Sequence, residues 1–195
     1  MMTQQPNPFL TRIIFEPQLA ENESFGVVAD IDPIVEGHYL FYSKKWLPSI
    51  ADCDTVQAVA FLRDVFADAV DESYAYFERG RASFCTSMNG VLHAHGHLIP
   101  AFLADMSELF PYGQIEYCPS LEQAYRMVNT QGQYLLWGNL GEEFFVIQNV
   151  EELPKRTIRN TIRSCQNPKK QEKSRIHGPH CGTGADFDVK IVLQS

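Results

Sequence analysis

Residues 92–98 read Leu-His-Ala-His-Gly-His-Leu, and this strict alternation of histidine with an apolar or small residue constrains the chain more than any other feature. In an extended strand successive side chains point to opposite faces, so His93, His95 and His97 share one side at intervals of about 7 Å. Leu92, Ala94, Gly96 and Leu98 take the other side. Ala94 and Gly96 are small enough to let another element pack closely behind the strand, a long helix being the natural candidate. A row of three imidazoles is costly to bury without a use, because each ring carries two polar nitrogens that need partners.

Two chemistries suit such a row. Neutral imidazole is a common metal ligand, and two histidines in alternation can present a pair of them. A metal site also wants a carboxylate nearby, and residues 98–104 offer none, which leaves only Asp105 or Asp30 to reach it. The other chemistry is nucleophilic attack on phosphorus. Imidazole attacks phosphorus and leaves again, splitting one displacement into two easier ones. Neighbouring imidazoles can donate hydrogen bonds where charge develops. The attacking ring needs its tautomer fixed at the other nitrogen, commonly by a backbone carbonyl.

The surrounding chain alternates short strands with helices. Residues 11–19 read as a short strand interrupted by Pro17. Residues 24–31 and 38–43 form a strand pair around the turn signal Asp32-Pro33…Glu36-Gly37. Apolar residues recur at three- and four-residue steps over 54–78, which predicts one long amphipathic helix capped by Asp54 and ended near Gly80. Residues 82–88 and 92–99 read as a hairpin through Asn89-Gly90, with Pro100 stopping the second strand. A helix over 120–130, a hairpin of 134–137 with 143–148, and a helix entered at Pro154 follow. The fold class is α+β, a mainly antiparallel sheet with the long helix packed on it. The domain reading is a catalytic domain over 8–110, a helix–hairpin–helix extension packed on it over 111–166, and a basic tail over 167–195.

Charge sharpens this division. Residues 1–154 carry 7 basic and 21 acidic side chains, a net of −14, whereas 155–195 carry 9 and 3, a net of +6. An acidic body argues against general nucleic-acid binding, which needs clustered Lys and Arg. No apolar stretch nears the roughly 18–20 residues that span a bilayer. The first residues lack a secretory pattern, and five widely spaced cysteines without a CxxC pair suit reduced thiols, so a cytoplasmic location is expected.

The block His93-Ala94-His95-Gly96-His97-Leu98-Ile99-Pro100 resembles the signature of the histidine-triad (HIT) superfamily. A second block, Phe25-Gly-Val-Val-Ala-Asp30-Ile-Asp-Pro33…Glu36-Gly37-His38-Tyr-Leu-Phe-Tyr, is similar to the family's apolar strand, Asp-Ile-x-Pro turn and Gly-His strand. The resemblance covers roughly residues 12–100, and the sequence beyond resembles a branch with a C-terminal extension. It implies that His95 is the nucleophile, that His93 orients it, and that His97 and His38 contact the phosphate and the leaving group. Asp30 would bind ribose hydroxyls and Ile31 would pack on the base. Family members often carry Gly-Gln-Ser before the triad. This chain has Ser87-Met88-Asn89-Gly90, so Asn89 and Ser87 are the polar groups left to meet the phosphate.

The resemblance therefore implies a nucleotide hydrolase or nucleotidyltransferase acting at an α-phosphorus through a nucleotidyl-histidine. It also implies a homodimer. No resident metal is expected, although Mg²⁺ could accompany a polyphosphate substrate. A histidine-based metal-binding protein and a catalytically quiet nucleotide-binding module remain as alternatives. Elsewhere, His177, His180, Cys181 and Cys165 have the residue types of a zinc site, but their spacing fits no standard finger. Arg156, Arg159 and Arg163 recur at helical spacing. They could meet a polyphosphate, although such a run is more often a solvated face.

Overall fold

The computed structural model describes residues 18–66, 74–81, 93–100, 113–128, 131–150, 159, 160 and 162. Its centre is one antiparallel sheet of eight strands: β1 (Gln18–Glu21), β2 (Phe25–Ala29), β3 (Tyr39–Ser43), β4 (Tyr74–Gly80), β5 (His95–Pro100), β6 (Ile115–Cys118), β7 (Tyr134–Asn139) and β8 (Phe144–Gln148). Their order across the sheet is β1-β2-β3-β5-β4-β7-β8-β6. Helices α1 (Thr55–Phe66) and α2 (Leu121–Met127) complete the described elements, with a single 3-10 turn at Ile50–Asp52. The molecule is α+β, as the alternation of strand and helix signals predicts.

Strand alternation divides the core into two layers. Phe25, Val27, Phe41, Tyr76, Leu98, Leu136 and Val146 point to one face, where Val59 and Leu62 of α1 and Leu121, Ala124 and Tyr125 of α2 cover them. Ala75, Phe77, Ile99, Leu135, Trp137 and Ile147 point to the other, joined by Val150 and Ile162. Each fully buried large apolar side chain contributes roughly 1.5–3 kcal/mol. Strands β4 and β7 therefore bury apolar residues on both sides, and β7 is buried at every residue.

Among the described residues, one buried carboxylate lies in the layer beneath the helices. Glu78 is fully buried. Its Oε1 accepts hydrogen bonds from the Tyr134 hydroxyl (2.6 Å) and the Ile50 amide (2.9 Å). Its Oε2 meets the Tyr125 and Tyr76 hydroxyls at 2.9 and 3.1 Å.

Helix α1 starts where the sequence places it, with the Asp54 carboxylate accepting from the Gln57 amide at 3.1 Å. The helix predicted over 54–78 does not run that far. Residues 74–78 belong to β4, paired with β5 on one side and β7 on the other. Tyr74 and Phe77 fit a helical step, but the same residues also alternate. Tyr76 lies in the helix-covered layer and Phe77 in the opposite one. A strand in the middle of a sheet buries both sides, which erases the polar face that distinguishes the two periods.

The expected hairpin of 82–88 with 92–99 is corrected in part. Strand β5 lies between β3 and β4, with His97 opposite both Leu40 and Phe77, so its partners come from other segments. Residues 82–92, with Asn89-Gly90, lie outside the described residues. The hairpin predicted from 134–137 and 143–148 is present as β7–β8. The 120–130 helix is present as α2, capped by Ser120 accepting from the Gln123 amide. Strand β7 pairs with β4, so the segment beyond 113 adds strands to the same sheet. Among the described residues no helix is long and apolar enough to cross a membrane.

Candidate active site around His95 and His97

Three stretches of backbone converge on the face opposite the helices. Asp30 ends β2 and His38 precedes β3, and the Asp30 amide donates to the His38 carbonyl at 2.9 Å, closing the turn between them. Gly37 makes that turn with φ +75°, a conformation that suits glycine. The Asp30 Oδ1 accepts from the Asp32 amide at 2.9 Å, an Asx-type turn that fixes the carboxylate's orientation. Strand β5 lies beside β3 and sets His97 opposite Leu40 and His95 opposite Tyr42.

The imidazoles form a chain whose proton positions follow from fixed backbone groups. The Ile34 amide can only donate, so His38 Nδ1, at 3.1 Å, accepts. A neutral His38 then carries its proton on Nε2 and donates to His97 Nδ1 at 3.0 Å. His97 is left with its proton on Nε2. Burial, then the charges of His95, His38 and Arg159, hold His97 well below the usual imidazole value of 6.5. The ring of His97 stacks on Phe77, with centroids 4.6 Å apart and planes 11° from parallel.

His95 has the opposite tautomer for the same kind of reason. Its Nδ1 lies 2.6 Å from the His93 carbonyl, which can only accept, so Nδ1 carries the proton. The lone pair of the neutral ring is therefore on Nε2, the nitrogen of a nucleophile. The His95 and His97 ring centroids are 5.2 Å apart, closer than the strand interval alone implies.

His93 behaves differently from its two companions. Its backbone lies outside β5, and its buried ring places Nε2 2.5 Å from the Ser43 carbonyl. Burial pushes its pKa down. It acts on the cluster through its carbonyl.

Gly96 has a local explanation. A Cβ there would run into the ring of Tyr76, whose hydroxyl reaches Glu78. The element packed behind Gly96 is thus a tyrosine of the neighbouring strand rather than the long helix. Ala94 does join the helix-covered layer.

Sequence reading assigned Asp30, Ile31, His38, His93, His95 and His97 to the site. The structure brings Asp30, His38, His95 and His97 together, with Ile31 next to Asp30 in the chain. The His93 ring, expected to line up with the other two, lies on the Ser43 carbonyl instead. Asp30 is buried and Ile31 is 61% exposed beside it. Asn89 and Ser87 lie outside the described residues, as do His177, His180, Cys181 and Cys165.

Arg159 is the residue that sequence reasoning set aside as part of a solvated face. Its Nη1 lies 3.0 Å from Asp30 Oδ2. Its Nη2 bonds the Asp32 carbonyl and lies 3.5 Å from the Asp32 carboxylate. Helical spacing of arginines in a basic segment had offered that signal, but spacing alone does not say what the guanidinium meets.

Ligand atoms of Asp30, His38 and His97 lie within 4.8 Å of one another, the one such trio among the described residues. A cation there would compete with Arg159 for Asp30 Oδ2 and with His38 for the lone pair on His97 Nδ1. The arrangement is closed by hydrogen bonds of its own and fits a metal poorly.

No protein-family model and no curated protein matches the chain. Solved structures of HIT-family proteins do. A HIT-like protein involved in cell-cycle regulation from Bartonella henselae is 22% identical, over 53% of this chain and 85% of its own, with a TM-score of 0.37. A HIT family hydrolase from Clostridium thermocellum is 18% identical, over 52% and 95%, with a TM-score of 0.35. Yeast Ap4A phosphorylase in complex with AMP is 10% identical, over 73% and 64%, with a TM-score of 0.45. Each is a protein this chain is similar to, and the chemistry is read from the site's own geometry.

Proposed function

We propose that this chain is a nucleotide hydrolase or nucleotidyltransferase that uses His95 Nε2 to attack an α-phosphorus. The observation that carries the reading is the 2.6 Å contact between His95 Nδ1 and the His93 carbonyl, which puts the proton on Nδ1 and the lone pair of the neutral ring on Nε2. Attack forms an N–P bond and breaks the bond from phosphorus to its leaving group. The Nε2–H of neutral His97 can donate a hydrogen bond to the leaving atom or to a non-bridging oxygen, where negative charge develops. His97 keeps its proton while the leaving group departs as its anion. Water then displaces the nucleotidyl group and regenerates neutral His95. Phosphate in place of water makes the same chemistry a transfer.

Asp30 would accept hydrogen bonds from ribose hydroxyls, and the exposed Ile31 beside it would pack on the base. Mg²⁺ would enter with a polyphosphate substrate rather than as a resident ion. A homodimer is proposed on the resemblance to the HIT superfamily alone.

The test is incubation with Ap4A, a nucleoside phosphoramidate and ADP-ribose, followed by intact-mass detection of a nucleotidylated chain. The adduct should form on the unmodified protein and vanish in His95→Ala. Turnover that survives His95→Ala would refute the mechanism. Nucleotide binding with no adduct on any substrate would instead indicate a binding module.

A further inference from the structure

Asp30 Oδ2 occupies an awkward position. It lies 3.4 Å from His38 Nδ1 and 3.7 Å from His97 Nδ1. Both nitrogens are hydrogen-bond acceptors in the neutral chain that starts at the Ile34 amide. A carboxylate beside two imidazole lone pairs is repelled by them, or else draws a proton onto one and becomes its counter-ion. Either result takes Asp30 away from a ribose. The guanidinium of Arg159 lies on the same oxygen at 3.0 Å and is anchored by the carbonyl and carboxylate of Asp32. It comes from the far end of the sequence, 129 residues from Asp30. Ile162, one helical turn on, is buried in the layer that holds Phe77. The arginine is thus held in place by packing as well as by its ion pairs.

We infer that Arg159 is a positioning residue of the nucleotide site, clamping Asp30 so that the carboxylate serves the ribose hydroxyls rather than the imidazoles of His38 and His97. The inference rests on the nucleotide reading and adds to it a residue that the triad and the Asp-Ile-x-Pro turn do not contain. It assigns a site function to one residue of the basic segment, Arg159, which completes the ribose subsite within the same chain. Among the described residues, the titratable and charged groups facing His97 are His38, Asp30 and His95 from the sheet side and Arg159 from the C-terminal segment. Loss of Arg159 removes a positive charge and leaves the Asp30 carboxylate beside the His38–His97 pair, and His97 should then take up a proton at higher pH.

The experiment compares binding of AMP, GMP and their 2′,3′-dideoxy forms by calorimetry. It uses the unmodified chain, Arg159→Gln, Arg159→Lys and Asp30→Asn, with the His97 imidazole followed by NMR. The unmodified chain should prefer the ribonucleotide about tenfold, the size of one good hydrogen bond to a charged acceptor. Arg159→Gln should lose most of that preference, with dideoxynucleotide affinity within about twofold of the starting value, and should titrate His97 at higher pH. Arg159→Lys should keep part of the preference, and adding Asp30→Asn to Arg159→Gln should cost nothing further. If Arg159→Gln keeps the full preference, or weakens both nucleotide forms equally, the clamp is wrong and the nucleotide reading stands. If the unmodified chain binds neither AMP nor GMP, the two fall together.

Discussion

The carbonyl of His93 and the amide of Ile34 each settle a tautomer, and two imidazoles in neighbouring positions become an acceptor and a donor as a result. Glu78 shows the same logic in the opposite layer of the sheet. Its Oε2 meets Tyr76 at 3.1 Å and Tyr125 at 2.9 Å, while those two hydroxyls meet each other at 2.8 Å. Each hydroxyl has one proton, so if both donate to an ionised Glu78 their mutual contact has none. A proton on Oε2 completes a ring of three hydrogen bonds. Burial raises the Glu78 pKa above its usual 4.5, against the opposing hydrogen bonds, and the ring favours the same direction. A carboxyl group whose folded-state pKa is raised binds more protons folded than unfolded. Its contribution to stability is full below 4.5 and is lost as pH rises toward the folded-state value. Glu78→Gln mimics the protonated form. Its stability relative to the unmodified chain should improve as pH rises above 4.5, by up to about 1.4 kcal/mol per unit until the folded-state pKa is passed. Urea unfolding from pH 4.5 to 8 measures this, and a difference that does not change with pH would show that the Glu78 pKa is unshifted.

Strand β5 carries catalytic candidates on one side and a packing constraint on the other. The alternation of residues 92–98 announces the strand, but the identity of Gly96 is explained only by Tyr76 of β4 lying over it. Gly96→Val should cost about 1–3 kcal/mol through overpacking. In a double-mutant cycle with Tyr76→Leu the two costs should be clearly non-additive, because the smaller residue makes room for the branch. Additive costs in denaturant unfolding would mean that the ring does not lie there. Strand β4 is the element that sequence reading misassigned. Its residues at positions 74 and 77 continue the spacing of α1, and only burial on both sides tells a central strand from a helix.

At the scale of the whole molecule, one sheet joins the segment holding Asp30 and His38, the histidine strand and the strands beyond residue 113. Two residues from beyond the sheet lie on its His97 side, Ile162 buried among Phe77, Ile99 and Trp137 and Arg159 on Asp30. Ile162→Ala should therefore lower global stability by about 2–4 kcal/mol, as for other buried aliphatic truncations. A surface position on a solvated helix would show a loss within about 0.5 kcal/mol, and that result would undock the segment. The contact also gives a purpose to part of the charge asymmetry, since Arg159 of the basic segment meets Asp30 and Asp32 of the acidic body.

The sequence by itself determined the local periodic features. These are the strand bearing His95 and His97, the Asp30-to-His38 turn, the start of α1 and the β7–β8 hairpin. Each depends on side-chain alternation, a capping residue or a turn residue within a few positions, so a short window contains the whole cause. Tertiary structure alone decided that residues 74–78 are a strand, that Gly96 lies under Tyr76, that His93 turns to Ser43 and that Arg159 reaches Asp30. Those outcomes depend on contacts between segments up to 129 residues apart. Burial and charge pairing across such distances leave no periodic trace in the chain.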